Sequence, residues 1–141
     1  GEQGMKVVRK MKMPASAFFD KIMESVLYDV YDATGKRLSY NKLEDLTYVK
    51  QFSQNNRAKI TIDKVEKDKS YAFKTATTRN EFSVQYDIIP LDDKSCEVHY
   101  EESMESYGAM QKLNDALFGF VLGYFKKRQF KQMLKMIEES Y

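Results

Sequence analysis

The sequence predicts an α+β domain in which a curved antiparallel sheet wraps around a C-terminal helix. Three observations lead there. Between Thr47 and Met104 apolar residues recur at every second position, in five blocks separated by short polar joints. A strand-like segment and an amphipathic helix precede those blocks, and one long helical segment follows them to the C-terminus. The bulk balance, 43% hydrophobic and 31% charged over 141 residues, is that of one ordinary globular domain long enough to bury a core.

The elements follow in order. "MKVVRKMKM" (Met5–Met13) places Met5, Val7, Met11 and Met13 on one parity and Lys6, Lys10 and Lys12 on the other, a half-buried strand. Gly1 to Gly4 ("GEQG") read as a leftover of expression, leaving a single domain over 5–141. Pro14 suits a first helical turn, where its missing N–H is not needed. Phe18, Phe19, Ile22, Met23, Val26, Leu27, Val30 and Tyr31 then recur at spacings of three and four, an amphipathic helix ending at Gly35. "SYNKLEDL" reads as one further helical turn or a loop. "TYVKQF", "RAKITID", "YAFKTATT", "FSVQYDI" and "CEVHYEESM" are the five strands, each with one dry and one wet face. Their joints are "SQNN", "EKDK", "TRNE" and "PLDDK".

From about Ala109 to Glu139 the chain reads as a long helix, large enough to cover the sheet's apolar face. The arrangement is a helix-grip, with a cavity between sheet and helix. On a helical wheel Ala116, Gly119 and Gly123 share a side with Phe130, Leu134, Ile137 and Tyr141, the packing stripe. Phe118, Val121, Leu122 and Phe125 point elsewhere, so the upper half is apolar all round and must be buried or touch an apolar partner. The uncharged run 116–125 offers about half of the roughly 20 residues a membrane span requires, and it does not span. Three uses compete for it: close packing on the sheet, a cavity wall, or contact with a second copy or a membrane surface. A cavity combined with a homodimer contact explains both its small and its bulky faces.

Several function classes drop out. Net charge is +2, from 23 basic and 21 acidic residues, too balanced for a nucleic-acid binder. One Cys and one His exclude a disulfide framework and a Cys/His zinc site, and the single Cys fits a reducing cytoplasm. No signal-peptide pattern opens the chain, and no glycine forms a phosphate-cradling nest. Cys96 and His99, three apart on one strand, lie on opposite faces and cannot pair. His99 shares the wet face with Glu97 and Glu101. No metal, cofactor or catalytic set is expected.

"MPASAFFDKIMESVLYDV" and "FKKRQFKQMLKMIEE" resemble the START-like (SRPBCC) superfamily of birch-pollen-allergen and polyketide-cyclase relatives. "YVKQFSQNNRAKITID", "TATTRNEF" and "CEVHYEESME" are similar, more narrowly, to a family of small bacterial proteins of unknown function within it. The resemblance covers nearly the whole chain from Met5. It implies a helix-grip that binds hydrophobic ligands such as lipids, sterols or polyketides, with a minority of members catalysing reactions.

The expected cavity walls are Ile60, Phe73, Phe82, Val84, Tyr86, Tyr100, Phe118 and Leu122. Arg9 and Glu102 fall on the inner parity of their strands. A buried unpaired charge is costly, so they either find partners, reach water or sit at the cavity mouth. At the mouth they would fix a ligand's polar head, with Tyr86, Tyr100, Thr75 and Thr77 as hydrogen-bond donors. Lys126, Lys127, Arg128, Lys131 and Lys135 form the one charge asymmetry. They read as the helix's wet face or as a peripheral contact with an anionic bilayer. A binding domain for a small hydrophobic ligand ranks first and an interaction module second. An enzyme of cyclase or hydrolase type, with Glu102 as base, ranks last.

Overall fold

The computed structural model describes residues 2–108 and 126–141. Its elements run β1 (Glu2–Met11), α1 (Ala15–Thr34), a 3-10 turn (Tyr40–Lys42), β2 (Thr47–Ser53), β3 (Asn56–Glu66), β4 (Ser70–Ala76), β5 (Asn80–Asp92) and β6 (Ser95–Ser106). Residues 126–139 are helical and are denoted α2. All six strands join one antiparallel sheet in the order β1-β6-β5-β4-β3-β2. The meander β2 to β6 therefore closes against the N-terminal strand, while α1 bridges the two edges of the sheet.

Strand parity sets the core. Val7 and Met11 of β1, Ala58, Ile60 and Ile62 of β3, Val84, Tyr86 and Ile88 of β5, and Cys96, Val98 and Tyr100 of β6 are all buried. Val8, Lys10 and Lys59 on the opposite parity are exposed. Strand β1 also includes Glu2 to Gly4, with Gly4 opposite Ser103. Strand β5 runs through Pro90, within the expected "PLDDK" joint. The β4 pairing ends at Asp87 and a bulge follows Pro90, so no ladder hydrogen bond from its nitrogen is needed.

Helix α1 buries Phe18, Phe19, Ile22, Met23, Val26 and Val30 against the sheet, so the final helix is not the sheet's only cover. It stops at Gly35, whose φ of 74° is left-handed and whose N–H donates to the Tyr31 carbonyl at 2.7 Å. Tyr31 itself leaves the apolar stripe and is 42% exposed. Its ring lies under the Arg37 guanidinium, 4.5 Å from the centroid.

Helix α2 docks through the expected stripe. Leu134 is fully buried, and Phe130 and Ile137 pack against the core from its margin. Tyr141 departs from that stripe, being 66% exposed just past the end of α2. Residues 109–125, with Ala116, Phe118, Gly119, Val121, Leu122, Gly123 and Phe125, lie outside the described residues.

Candidate functional site

Between α1, the inner face of β2–β5 and the C-terminal half of α2 lies a cleft of about 840 Å³. The sheet supplies Tyr48, Ile60, Tyr71, Phe73, Thr75 and Tyr86; α1 supplies Ile22, Ser25, Val26 and Asp29; α2 supplies Met133 and Ile137. At the rim stand Lys21, Tyr28 and Phe52. The placement follows from period two on the strands and from spacings of three and four on α1, where positions 22, 25, 26 and 29 share one face.

The floor is an aromatic ladder. Tyr71 stacks on Phe73 at 5.3 Å and on Tyr86 at 6.0 Å between ring centroids. Tyr86 meets Tyr100 edge-on at 5.0 Å, and Tyr100 stacks on Phe130 of α2 at 3.8 Å. Such pairs add order 1 kcal/mol each beyond area burial, so the ladder fastens α2 to the sheet while leaving ring faces and edges to the cleft.

The polar groups divide into closed and open. The Tyr48 hydroxyl donates to Asp29 Oδ2 at 2.7 Å, and Lys50 Nζ forms an ion pair with Asp29 Oδ1. Tyr100 donates to Glu102 Oε1 at 3.0 Å. The hydroxyls of Tyr71 and Tyr86 have no hydrogen-bond partner among the described residues. Burial foremost pushes the Tyr48, Tyr71, Tyr86 and Tyr100 hydroxyls well above the usual phenol range, and nearby Asp29 or Glu102 adds to it. All four stay protonated at physiological pH. The cleft therefore presents hydrogen-bond donors and ring surface. Among the described residues no three His, Cys, Asp or Glu side chains gather as a metal site.

Of the residues expected from sequence, Ile60, Phe73, Thr75 and Tyr86 line this cleft. Phe82, Val84, Tyr100 and Glu102 share the inner face but stand beyond its lining. Glu102 has found partners: besides Tyr100, Lys126 Nζ lies 3.9 Å from its Oε2 and 4.9 Å from the Phe82 ring centroid. Arg9 also points inward but is spent on α2, with Nη1 and Nη2 at 3.3 and 3.4 Å from the Glu138 carboxylate. It ties β1 to α2 and stands outside the lining of this cleft. Thr77 lies past the end of β4, exposed, with its hydroxyl 3.0 Å from Asn80 Oδ1. Phe118 and Leu122 lie outside the described residues. Sequence reasoning missed Tyr71, Asp29, Tyr48 and Lys50. The strand residues had a signal, since Tyr71 shares the parity of Phe73, and Tyr48 and Lys50 share one parity on β2, but nothing local marked Asp29 as their partner.

His99 is on the wet face as expected, its Nε2 2.6 Å from Glu97 Oε1, while Cys96 is buried on the other. No helix among the described residues is long and apolar enough to cross a membrane.

Comparison with known proteins supports the same architecture. No curated protein matches in sequence. Among solved structures, Ara h 8.0201 superposes with a TM-score of 0.62 at 10% identity, covering 99% of this chain and 97% of its own. Norcoclaurine synthase from Thalictrum flavum, in complex with dopamine and hydroxybenzaldehyde, gives a TM-score of 0.57 at 10% identity, covering 100% and 89%. A START superfamily protein from Mycobacterium smegmatis gives a TM-score of 0.53 at 8% identity, covering 91% and 99%. At such identities these likenesses establish the fold alone, a START-like helix-grip. The family described as "Domain of unknown function (DUF3284)" matches residues 5–123, and the chain belongs to it.

Proposed function

We propose that the chain binds a small, largely apolar molecule carrying hydrogen-bond acceptors, held in the cleft between α1, the sheet and α2. The observation that carries this is the pair of tyrosine hydroxyls, Tyr71 and Tyr86, without partners among the described residues in an aromatic floor. Both residues line the cleft, and neither hydroxyl oxygen is among the sealed, partnerless polar atoms, so a ligand's carbonyl, ether or hydroxyl oxygen takes the place of water as acceptor, at about 0.5–1.5 kcal/mol net per hydrogen bond. The volume of about 840 Å³ falls within the roughly 300–1,000 Å³ of small-molecule sites. That structural neighbours include a protein solved with two small aromatic molecules is consistent with this use of the fold. A simple acyl chain would leave both hydroxyls unmet, so a lipid ligand would need oxygen functions along its body. Binding rather than catalysis is the expected activity, because the cleft's tyrosines are held protonated and Asp29 is occupied by Tyr48 and Lys50. The buried free thiol of Cys96 suits a reducing, cytoplasmic setting.

The test is titration with the uncharged fluorophore N-phenyl-1-naphthylamine, alongside native mass spectrometry of the purified chain. Ser25→Trp introduces bulk from an exposed position on α1 into the cleft without disturbing the core. It should weaken the probe by about tenfold or more. Equal binding by the variant and the parent would remove the cleft as the site. A second reading, association through the apolar run 116–125 as a homodimer or on an anionic membrane, rests on residues outside those described. Phe118→Asp with Leu122→Ser should abolish that association and preserve folding.

A further inference from the structure

Helix α2 separates two concavities of opposite chemistry. Met133 and Ile137 face the cleft, whereas Lys127, Arg128, Lys131, Gln132 and Lys135 line, with Arg9 of β1, a groove of about 420 Å³ on the other flank. Every charged side chain lining that groove is basic. Lys127, Lys131 and Lys135 follow at four-residue spacing, so their Cβ atoms stand about 6 Å apart. The row is about 12 Å long.

Two of the charges are matched nearby. Arg9 faces Glu138, and Lys135 lies 4.0 Å from Glu139. Lys127, Arg128 and Lys131 have no ion-pair partner among the described residues. Like charges one helical turn apart repel, and a concave wall concentrates their field. Beneath them the Glu138 carboxyl is held below the usual carboxylate range, first by the Lys12 backbone N–H and then by Arg9 and Lys12.

We propose that this groove is a second binding site, independent of the cleft, that takes phosphoryl groups, two or more on one ligand or array. A lone carboxylate reaches one or two of these cations. Phosphoryl oxygens present several acceptors each, match the fork of Arg128, and repeat along a chain or headgroup plane to meet a row of this length. The groups come either from a soluble oligophosphate or from anionic lipid headgroups.

Sodium tripolyphosphate, by calorimetry, and phosphatidylglycerol-containing vesicles, by co-sedimentation against pure phosphatidylcholine vesicles, separate the two sources. Lys127→Gln/Lys131→Gln should weaken whichever probe binds by about tenfold or more, and added salt should weaken the parent steeply. Lys36→Gln/Lys59→Gln removes the same charge from exposed positions elsewhere and should change binding little. Tripolyphosphate binding lost in the groove variant identifies a soluble ligand. Vesicle binding lost in it, with tripolyphosphate inert, identifies headgroups. If neither probe binds, or if both double variants lose equally, the groove is no site.

Discussion

Glu138→Gln tests how α2 is held to the sheet. The Glu138 carboxylate accepts the Lys12 backbone N–H at 2.7 Å and both terminal nitrogens of Arg9, at 3.3 and 3.4 Å. It is the charged link between the edge strand β1 and the final helix. Gln keeps the length and one carbonyl oxygen for Lys12, but loses the charge and one of the two acceptors offered to Arg9. A hydrogen bond to a charged group contributes about 1.5–3 kcal/mol when well shielded. Here the Arg9 and Glu138 side chains are 25% and 17% exposed, so solvent and salt reduce the figure, and about 1–2 kcal/mol is expected. For a chain of this size that lowers Tm by roughly 3–8 °C. The pH dependence has a definite sign. The folded-state pKa of Glu138 is depressed, so its stabilisation is present above its usual value of 4.5 and is lost as pH falls through the folded value. Urea titrations of parent and variant should show their full gap at neutral pH, closing progressively in acid. A gap that is absent at neutral pH, or constant into acid, would refute the tether.

Two further outcomes follow from packing alone. Leu134 is fully buried at the centre of the α2 contact, so Leu134→Ala should cost about 2–5 kcal/mol, read as a lower urea midpoint with unchanged slope. A loss under about 1 kcal/mol would mean that α2 adds little to the folded state. Cys96 is fully buried, and its thiol is pushed up to about 11, by burial first and by Glu138 second. Ellman's reagent at mildly alkaline pH should therefore modify the native chain far more slowly than the chain in urea, and equal rates would contradict the assigned burial.

Much of this architecture was legible because each face of the sheet has one solvent. Period-two alternation in β3, β5 and β6 survives reading by eye, and α1 carries both its stripe and its Gly35 stop. What could not be read was pairing across long separations. Arg9 has the correct inner parity, yet its partner lies 129 residues away, and strand periodicity carries no information about which helix residue descends on it. Asp29 was lost for a related reason. An acid among apolar helix positions looks like a wet margin until Tyr48 and Lys50 arrive from an edge strand whose own pattern is weak. Thr77 failed because its parity was extended one residue beyond the end of β4. The candidate site was thus half visible: its sheet floor follows from alternation, its helical wall only from tertiary placement.

The choice of tyrosine over phenylalanine in that floor is the most informative feature of the site. Ring stacking alone would be served equally by phenylalanine, as Phe73 and Phe130 show at the two ends of the ladder. Tyr48 and Tyr100 each use the hydroxyl on a carboxylate, which explains the oxygen at those positions by internal structure. Tyr71 and Tyr86 sit at the middle of the ladder, line the cleft, and use theirs on nothing among the described residues. A hydroxyl that opens on the cleft and makes no fold contact adds nothing to the stability of the fold, so its use lies in what the cleft holds. On that ground Tyr71→Phe and Tyr86→Phe should leave stability unchanged or raise it, while weakening any ligand that carries oxygen acceptors. Fold stability and ligand affinity moving in opposite directions is the behaviour of residues kept for binding. Both falling together would mean instead that the two hydroxyls serve the fold.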